Sequence, residues 1–70
     1  MRITYDKEAD ALRIIFRETT VTTKELGDGI AVDFDSDGRI AGIEVLDAAG
    51  RLGEKDTLSK VVLEGIGVAV

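Results

Sequence analysis

The sequence predicts a mainly β (α+β) fold, a four-stranded antiparallel β-meander followed by one or two short helices and a C-terminal strand. Three observations carry this expectation. Apolar residues recur at every second position in "ALRIIFRE" and on both sides of "DSDG", the period of a half-buried strand. Pro is absent, so eight Gly, several beside Asp, mark the turns. Helix-like patterns occur only after Leu46, and they are short.

"RITY" is the first strand, and "ALRIIFRE" the second, with Leu12, Ile14 and Phe16 on one side and Arg13 and Arg17 flanking Ile15 on the other. A four-residue loop, Lys7-Glu8-Ala9-Asp10, would set Ile3 against Ile14 and Tyr5 against Leu12. The Thr-rich "TTVTTKELGDG" begins a long third strand that pairs back on "IIFRE", with Gly27-Asp28-Gly29 as a bulge or bend before Ile30.

The sharpest register follows from Asp37-Gly38, a dipeptide suited to a two-residue type I′ turn. Such a turn pairs Phe34 with Ala41, Val32 with Ile43 and Ile30 with Val45, and sets Asp33 beside Gly42, Asp35 beside Ile40 and Ala31 beside Glu44. One face is then wholly apolar, which odd-length loops would mix. A four-residue loop keeps the faces and shifts partners by two. Past Leu46, Asp47 is placed to cap a short helix through Ala48, Ala49, Arg51 and Leu52 that ends near Gly53. Residues 56–70 read as a short helix capped by Asp56 and then a strand in "GIGVAV", a continued helix being the alternative.

Seventy residues make a single domain, 1–70, near the size at which a core only just offsets about 1.5 kcal/mol of conformational entropy per ordered residue. With no Cys for disulfides and no His or Cys for a zinc site, oligomerisation is the expected source of further burial. A homo-oligomer is expected, a dimer first. Fourteen Asp plus Glu against 9 Lys plus Arg give a net charge of −5, which repels phosphate backbones and argues against direct nucleic-acid binding. "MRITYDKEAD" lacks the apolar run of a signal peptide and no segment approaches a membrane span, so a cytoplasmic location is expected.

"DFDSDGRIAGIE" matches the EF-hand loop pattern through Asp33, Asp35, Asp37, Gly38 and Glu44. Those carboxylates are the weak candidate metal ligands, since hard divalent cations take oxygen donors. The flanking segments, however, are strand-like where helices are required. Side chains at i and i+2 of a strand stand roughly 6.5–7 Å apart, too far to share an ion without a bend. A hairpin with a solvated acidic face, on which Asp33 and Asp35 meet Arg13 and Arg17, is favoured. Asp6, Glu8 and Asp10 read as caps of the first loop. With neither His nor Cys no nucleophile relay exists, Ser59 and Lys60 being sequence neighbours that do not face each other; no catalytic residue and no cofactor is assigned. "GIG" and "GDG" are turn or packing glycines.

"YDKEADALRI" (Tyr5 to Ile14) and "GIAVDFDSDGRIAGIEVLDA" (Gly29 to Ala48) together resemble the prokaryotic family known as domain of unknown function 2283. The resemblance covers about residues 2–52 and implies no assigned activity. It does imply an antitoxin-like role, because some members are encoded beside small proteins of a toxin class. The expected function is therefore a small non-enzymatic protein-interaction or oligomerisation module, a partner for itself or for a small basic protein. Its contacts would be the acidic Asp33, Asp35 and Glu44 and the apolar tail residues Ile66, Val68 and Val70. The alternatives are a weak divalent-metal or carboxylate-based enzyme using the acidic clusters, and a purely self-assembling structural protein.

Overall fold

A computed structural model describes residues 1–53 and 55–67. One antiparallel sheet holds β1 (Arg2–Asp6), β2 (Ala11–Ile15), β3 (Thr22–Gly27), β4 (Ile30–Phe34) and β5 (Ile40–Leu46), in the order β1-β2-β5-β4-β3. A one-turn helix α1 (Ala48–Arg51) and a 3-10 turn (Lys55–Leu58) follow.

The first hairpin has the expected register, Ile3 opposite Ile14 and Tyr5 opposite Leu12 across the loop at Lys7 to Asp10. The expected long third strand does not form. Gly27, Asp28 and Gly29 all have positive φ (95°, 52° and 77°), so the chain reverses there instead of bending. Two strands result where one was expected, and the sheet is not a meander. β3 pairs with β4 at the far edge, with a bulge between Glu25 and Gly27. β5 takes the place beside β2, matching Leu12 to Val45 and Ile14 to Ile43.

The β4–β5 hairpin keeps four of the expected pairs, Ile30–Val45, Ala31–Glu44, Val32–Ile43 and Asp33–Gly42. Its tip differs. The Asp35 N–H donates to the Arg39 carbonyl at 2.9 Å and the Gly38 N–H to the Asp35 carbonyl at 3.0 Å, and Gly38 alone in the turn has positive φ, 80°. This is a three-residue loop closed by a glycine in the left-handed region. A bulge at Ala41 absorbs the resulting one-residue slip, so Phe34 lies opposite Ile40 in place of Ala41. The apolar face survives because the bulge restores the pairing before Val32.

Ile3, Tyr5, Leu12, Ile14, Ile30, Val32, Phe34, Ile43 and Val45 share one face of the sheet by register. Little covers it. Only Val32, Ala41 and Ala48 are buried hydrophobics among the described residues, and no large side chain is fully enclosed. The chain exposes 5658 Å², whereas a folded monomer of 7.5 kDa exposes about 4,200 Å². Its shape is a plate of 35 × 33 × 17 Å.

Past the 3-10 turn, residues 60–67 adopt neither helix nor strand. The β-branched Val61 and Val62 disfavour a continued helix, and Gly65 and Gly67 turn the chain at φ 70° and 76°. The strand expected in "GIGVAV" is therefore not formed at Gly65 to Gly67; Val68 and Val70 lie outside the described residues.

Candidate functional site

The polar face is built on the row Ile15–Gly42–Asp33–Thr23. Thr23 Oγ1 donates to Asp33 Oδ1 at 2.5 Å, and the Arg13 guanidinium on β2 lies 3.8 Å from Asp33 Oδ2. Gly42 makes this possible, since a Cβ there would come within 3.1 Å of Asp33 Oδ2 and 3.0 Å of the Ile14 carbonyl. Asp33 thus reaches across β5 to a cation two strands away.

At the hairpin tip, Asp35 Oδ1 accepts the backbone N–H groups of Asp37 and Arg39, both at 2.9 Å. Its Oδ2 meets the Arg17 guanidinium. These contacts hold the Asp35 carboxyl below its usual range, the Arg39 amide foremost, although partial desolvation pulls the other way. The expected pairing of Asp33 and Asp35 with Arg13 and Arg17 is present.

The four carboxylates of the EF-hand pattern do not converge. Asp37 is exposed on the turn, Asp35 is engaged by the hairpin backbone, and Asp33 and Glu44 sit in separate cross-strand rows. Among the described residues no group of three or more His, Cys, Asp or Glu is placed to hold a metal ion. Glu44 lies in the row Arg13–Glu44–Ala31–Glu25, where the small Ala31 separates two glutamates. With Asp28, Ile30 and Leu46 these line a groove of about 270 Å³ beside the β3–β4 turn.

A second constellation is only half legible in the sequence. Asp6 Oδ1 accepts the amides of Glu8 and Ala9 at 3.0 and 3.2 Å, the loop cap expected of it. Asp10 does more. Its Oδ1 accepts the Tyr5 hydroxyl at 2.6 Å and the Ala49 amide at 3.0 Å, and its carbonyl accepts the Ala48 amide at 3.0 Å. Asp10, not Asp47, therefore caps α1. Asp47 occupies the N-cap position at φ 53° with no side-chain cap bond, outside the β-region backbone that a capping side chain needs. The Tyr5 hydrogen bond, followed by that of Ala49, holds the Asp10 carboxyl low, and the same bond raises the Tyr5 phenol. Tyr5 and Asp10 form a structural clasp joining the first hairpin to α1.

Of the apolar tail, Ile66 is exposed and lines a groove of about 410 Å³ with Met1, Ile3, Leu63 and Gly67 along β1. Val61, Val62 and Leu63 are also exposed. Ser59 donates its hydroxyl to the Asp56 carbonyl at 2.9 Å. No helix among the described residues is long and apolar enough to cross a membrane.

A family model described as "protein of unknown function (DUF2283)" matches residues 2–48. No curated protein and no solved structure matches the chain.

Proposed function

From the premise that this chain belongs to the DUF2283 family of proteins of unknown function, we propose that it is a non-enzymatic cytosolic module that works by associating with itself. The observation that carries this reading is the apolar surface left exposed at the sheet's rim and along the tail. The monomer exposes 5658 Å², about 1,400 Å² beyond the area expected for its mass, and a standard interface removes about 800 Å² from each partner. Apolar side chains exposed at the sheet's rim, Ile3, Tyr5 and Ile30, beside a tail with Val61, Val62, Leu63 and Ile66 exposed, are what association covers. Light scattering on the full chain tests it. A dimer or a larger defined oligomer is expected, and a monomer at micromolar concentration overturns it.

One observation favours a second use of the assembled module, capture of a small basic protein. Glu25, Asp28 and Glu44 line one groove, and among the described residues Glu25 and Glu44 make no ion pair. A cationic partner would be steered there and released by salt. Asp33 and Asp35 already face arginines and contribute less to this surface than Glu44. Glu25→Gln with Glu44→Gln should weaken capture of the toxin-class protein encoded beside a DUF2283 gene, and capture indifferent to both salt and this change rejects it.

A further inference from the structure

We infer that two copies join through β1, strand to strand about a two-fold axis at Thr4, so that their sheets merge into one of ten strands. This rests on the self-association reading and names one interface for it, which covers the apolar face at its Ile3–Tyr5 rim. β1 is an edge strand, and among the described residues no backbone hydrogen bond reaches its outer side. Such an edge is a template for another strand unless it is blunted by bulges, charge or cover.

The two edges differ in this respect. β3 carries a bulge between Glu25 and Gly27. A two-fold through its middle would set Lys24 against Lys24 of the second copy, and like charges directly opposite repel. β1 has five regular pairs with β2 and no bulge.

The sequence of β1, Arg-Ile-Thr-Tyr-Asp, is complementary to itself. An antiparallel two-fold that keeps both apolar faces on the same side must pass through a residue opposite its own copy. Only Thr4 as that residue uses all five positions. It sets Arg2 against Asp6 of the second copy, Ile3 against Tyr5 of the second copy, and Thr4 against itself. These are an opposite-charge pair, a β-branched–aromatic pair and a Thr–Thr pair, each a favourable cross-strand combination. Each of the first two occurs twice by symmetry.

The side chains are free to make these pairs. Arg2 now meets only Glu18, at 2.8 Å, in an ion pair whose side chains are 63% and 67% exposed, of the kind that contributes little. Asp6 uses Oδ1 for its loop amides, which leaves Oδ2 for the guanidinium. On the other face, Ile3 and Tyr5 are 47% and 38% exposed at the sheet's rim. The groove of Met1, Ile3, Leu63 and Ile66 adjoins this strand at Ile3, one residue from the axis.

The chain has no Cys, so a single introduced thiol reports the register. Thr4→Cys should form a disulfide dimer under mild oxidation, because opposed antiparallel residues bring Cα atoms to about 4.5–5.5 Å, within the bridging range. Arg2→Cys should not, since that position lies roughly 13 Å from its own copy. Independently, Arg2→Asp should dissociate the dimer by opposing two aspartates, and Arg2→Asp with Asp6→Arg should restore it. Circular dichroism at matched concentration establishes that each variant is folded. A dimeric wild type overturns this register, and leaves self-association standing, if Thr4→Cys crosslinks no better than Arg2→Cys or if the Arg2→Asp form stays dimeric. A monomeric wild type overturns both.

Discussion

Asp10 Oδ1 lies 3.0 Å from the backbone nitrogen of Ala49, 39 positions further along the chain, and 2.6 Å from the Tyr5 hydroxyl. One carboxylate oxygen thus ties the first hairpin to the only α-helix among the described residues. A one-turn helix cannot persist on propensity, so α1 stands where it does because Asp10 satisfies its first amides. Asp10 itself has φ 50°, a conformation that Asn and Gly tolerate and Ala resists.

The order of substitutions at Asp10 is therefore set by two separate requirements. Asn keeps the backbone conformation and one acceptor, Gly keeps only the conformation, and Ala keeps neither. Urea midpoints at fixed protein concentration should fall least for Asp10→Asn, more for Asp10→Gly and most for Asp10→Ala. Amide exchange at Ala48 and Ala49 should accelerate in the same order. An Ala variant as stable as wild type would show that the clasp contributes nothing.

The pH dependence follows from the same bond. Asp10 and Asp35 are held below their usual range, so near pH 4 the folded chain binds fewer protons than the unfolded one. Their contribution is complete above the unfolded value of about 3.9 and is lost as pH falls through the lower folded values. Tyr5 is raised, so its contribution is complete below about pH 10 and is lost as pH climbs through the folded value. Midpoint stability should be flat between about pH 6 and 9 and fall on both sides. Tyr5→Phe should abolish the alkaline fall and move the Asp10 titration upward by NMR. An unchanged Asp10 titration in that variant contradicts the assignment.

The pattern of alternating residues makes the apolar face and most of the central register readable, since burying one face excludes one-residue slips and Asp37-Gly38 marks where the chain turns. Strand order is not readable in the same way. Gly27-Asp28-Gly29 serves equally as a bulge or as a reversal, and only competition between β3 and β5 for the edge of β2 decides it. The loop at Asp37-Gly38 is hidden because the bulge at Ala41 cancels the slip of a three-residue loop, leaving the distant pairs identical. The α1 cap is hidden because it is supplied from Asp10, and local sequence can nominate only a neighbour such as Asp47. Within the candidate site, the pairs of Asp33 and Asp35 with arginines are legible from alternation. Gly42 as the space that admits Asp33 is not, since it depends on a side chain from the adjacent strand.

Three glycines should respond in different directions to a larger side chain. Gly42→Ala places a Cβ 3.0 Å from the Ile14 carbonyl and should destabilise by about 1–3 kcal/mol, as overpacking does. Gly38→Val requires a β-branched residue at φ 80° and should cost about 1 kcal/mol or more. Gly50, inside α1, has nothing within 4 Å of its ideal Cβ and no positive φ. Gly50→Ala should stabilise by about 0.4–1 kcal/mol. Denaturant midpoints at one protein concentration would reveal an inverted order.

The acidic hairpin should bind calcium no more tightly than about 10⁻³ M, the weak end of oxygen-ligand sites. Micromolar affinity needs about six or more oxygens around one ion, and this arrangement spends its donors elsewhere. Asp35 Oδ1 accepts two backbone amides and its Oδ2 faces Arg17. Asp33 holds Thr23 and faces Arg13. To recruit either carboxylate, an ion would have to displace a guanidinium and, at Asp35, undo the bonds that close the turn. Asp35→Ala should consequently lower folding stability while leaving calorimetric titration with Ca²⁺ as featureless as in wild type. Saturable micromolar heat in the wild type, lost in Asp35→Ala, would mean that the hairpin reorganises around the ion and that its internal bonds are weaker than their geometry implies.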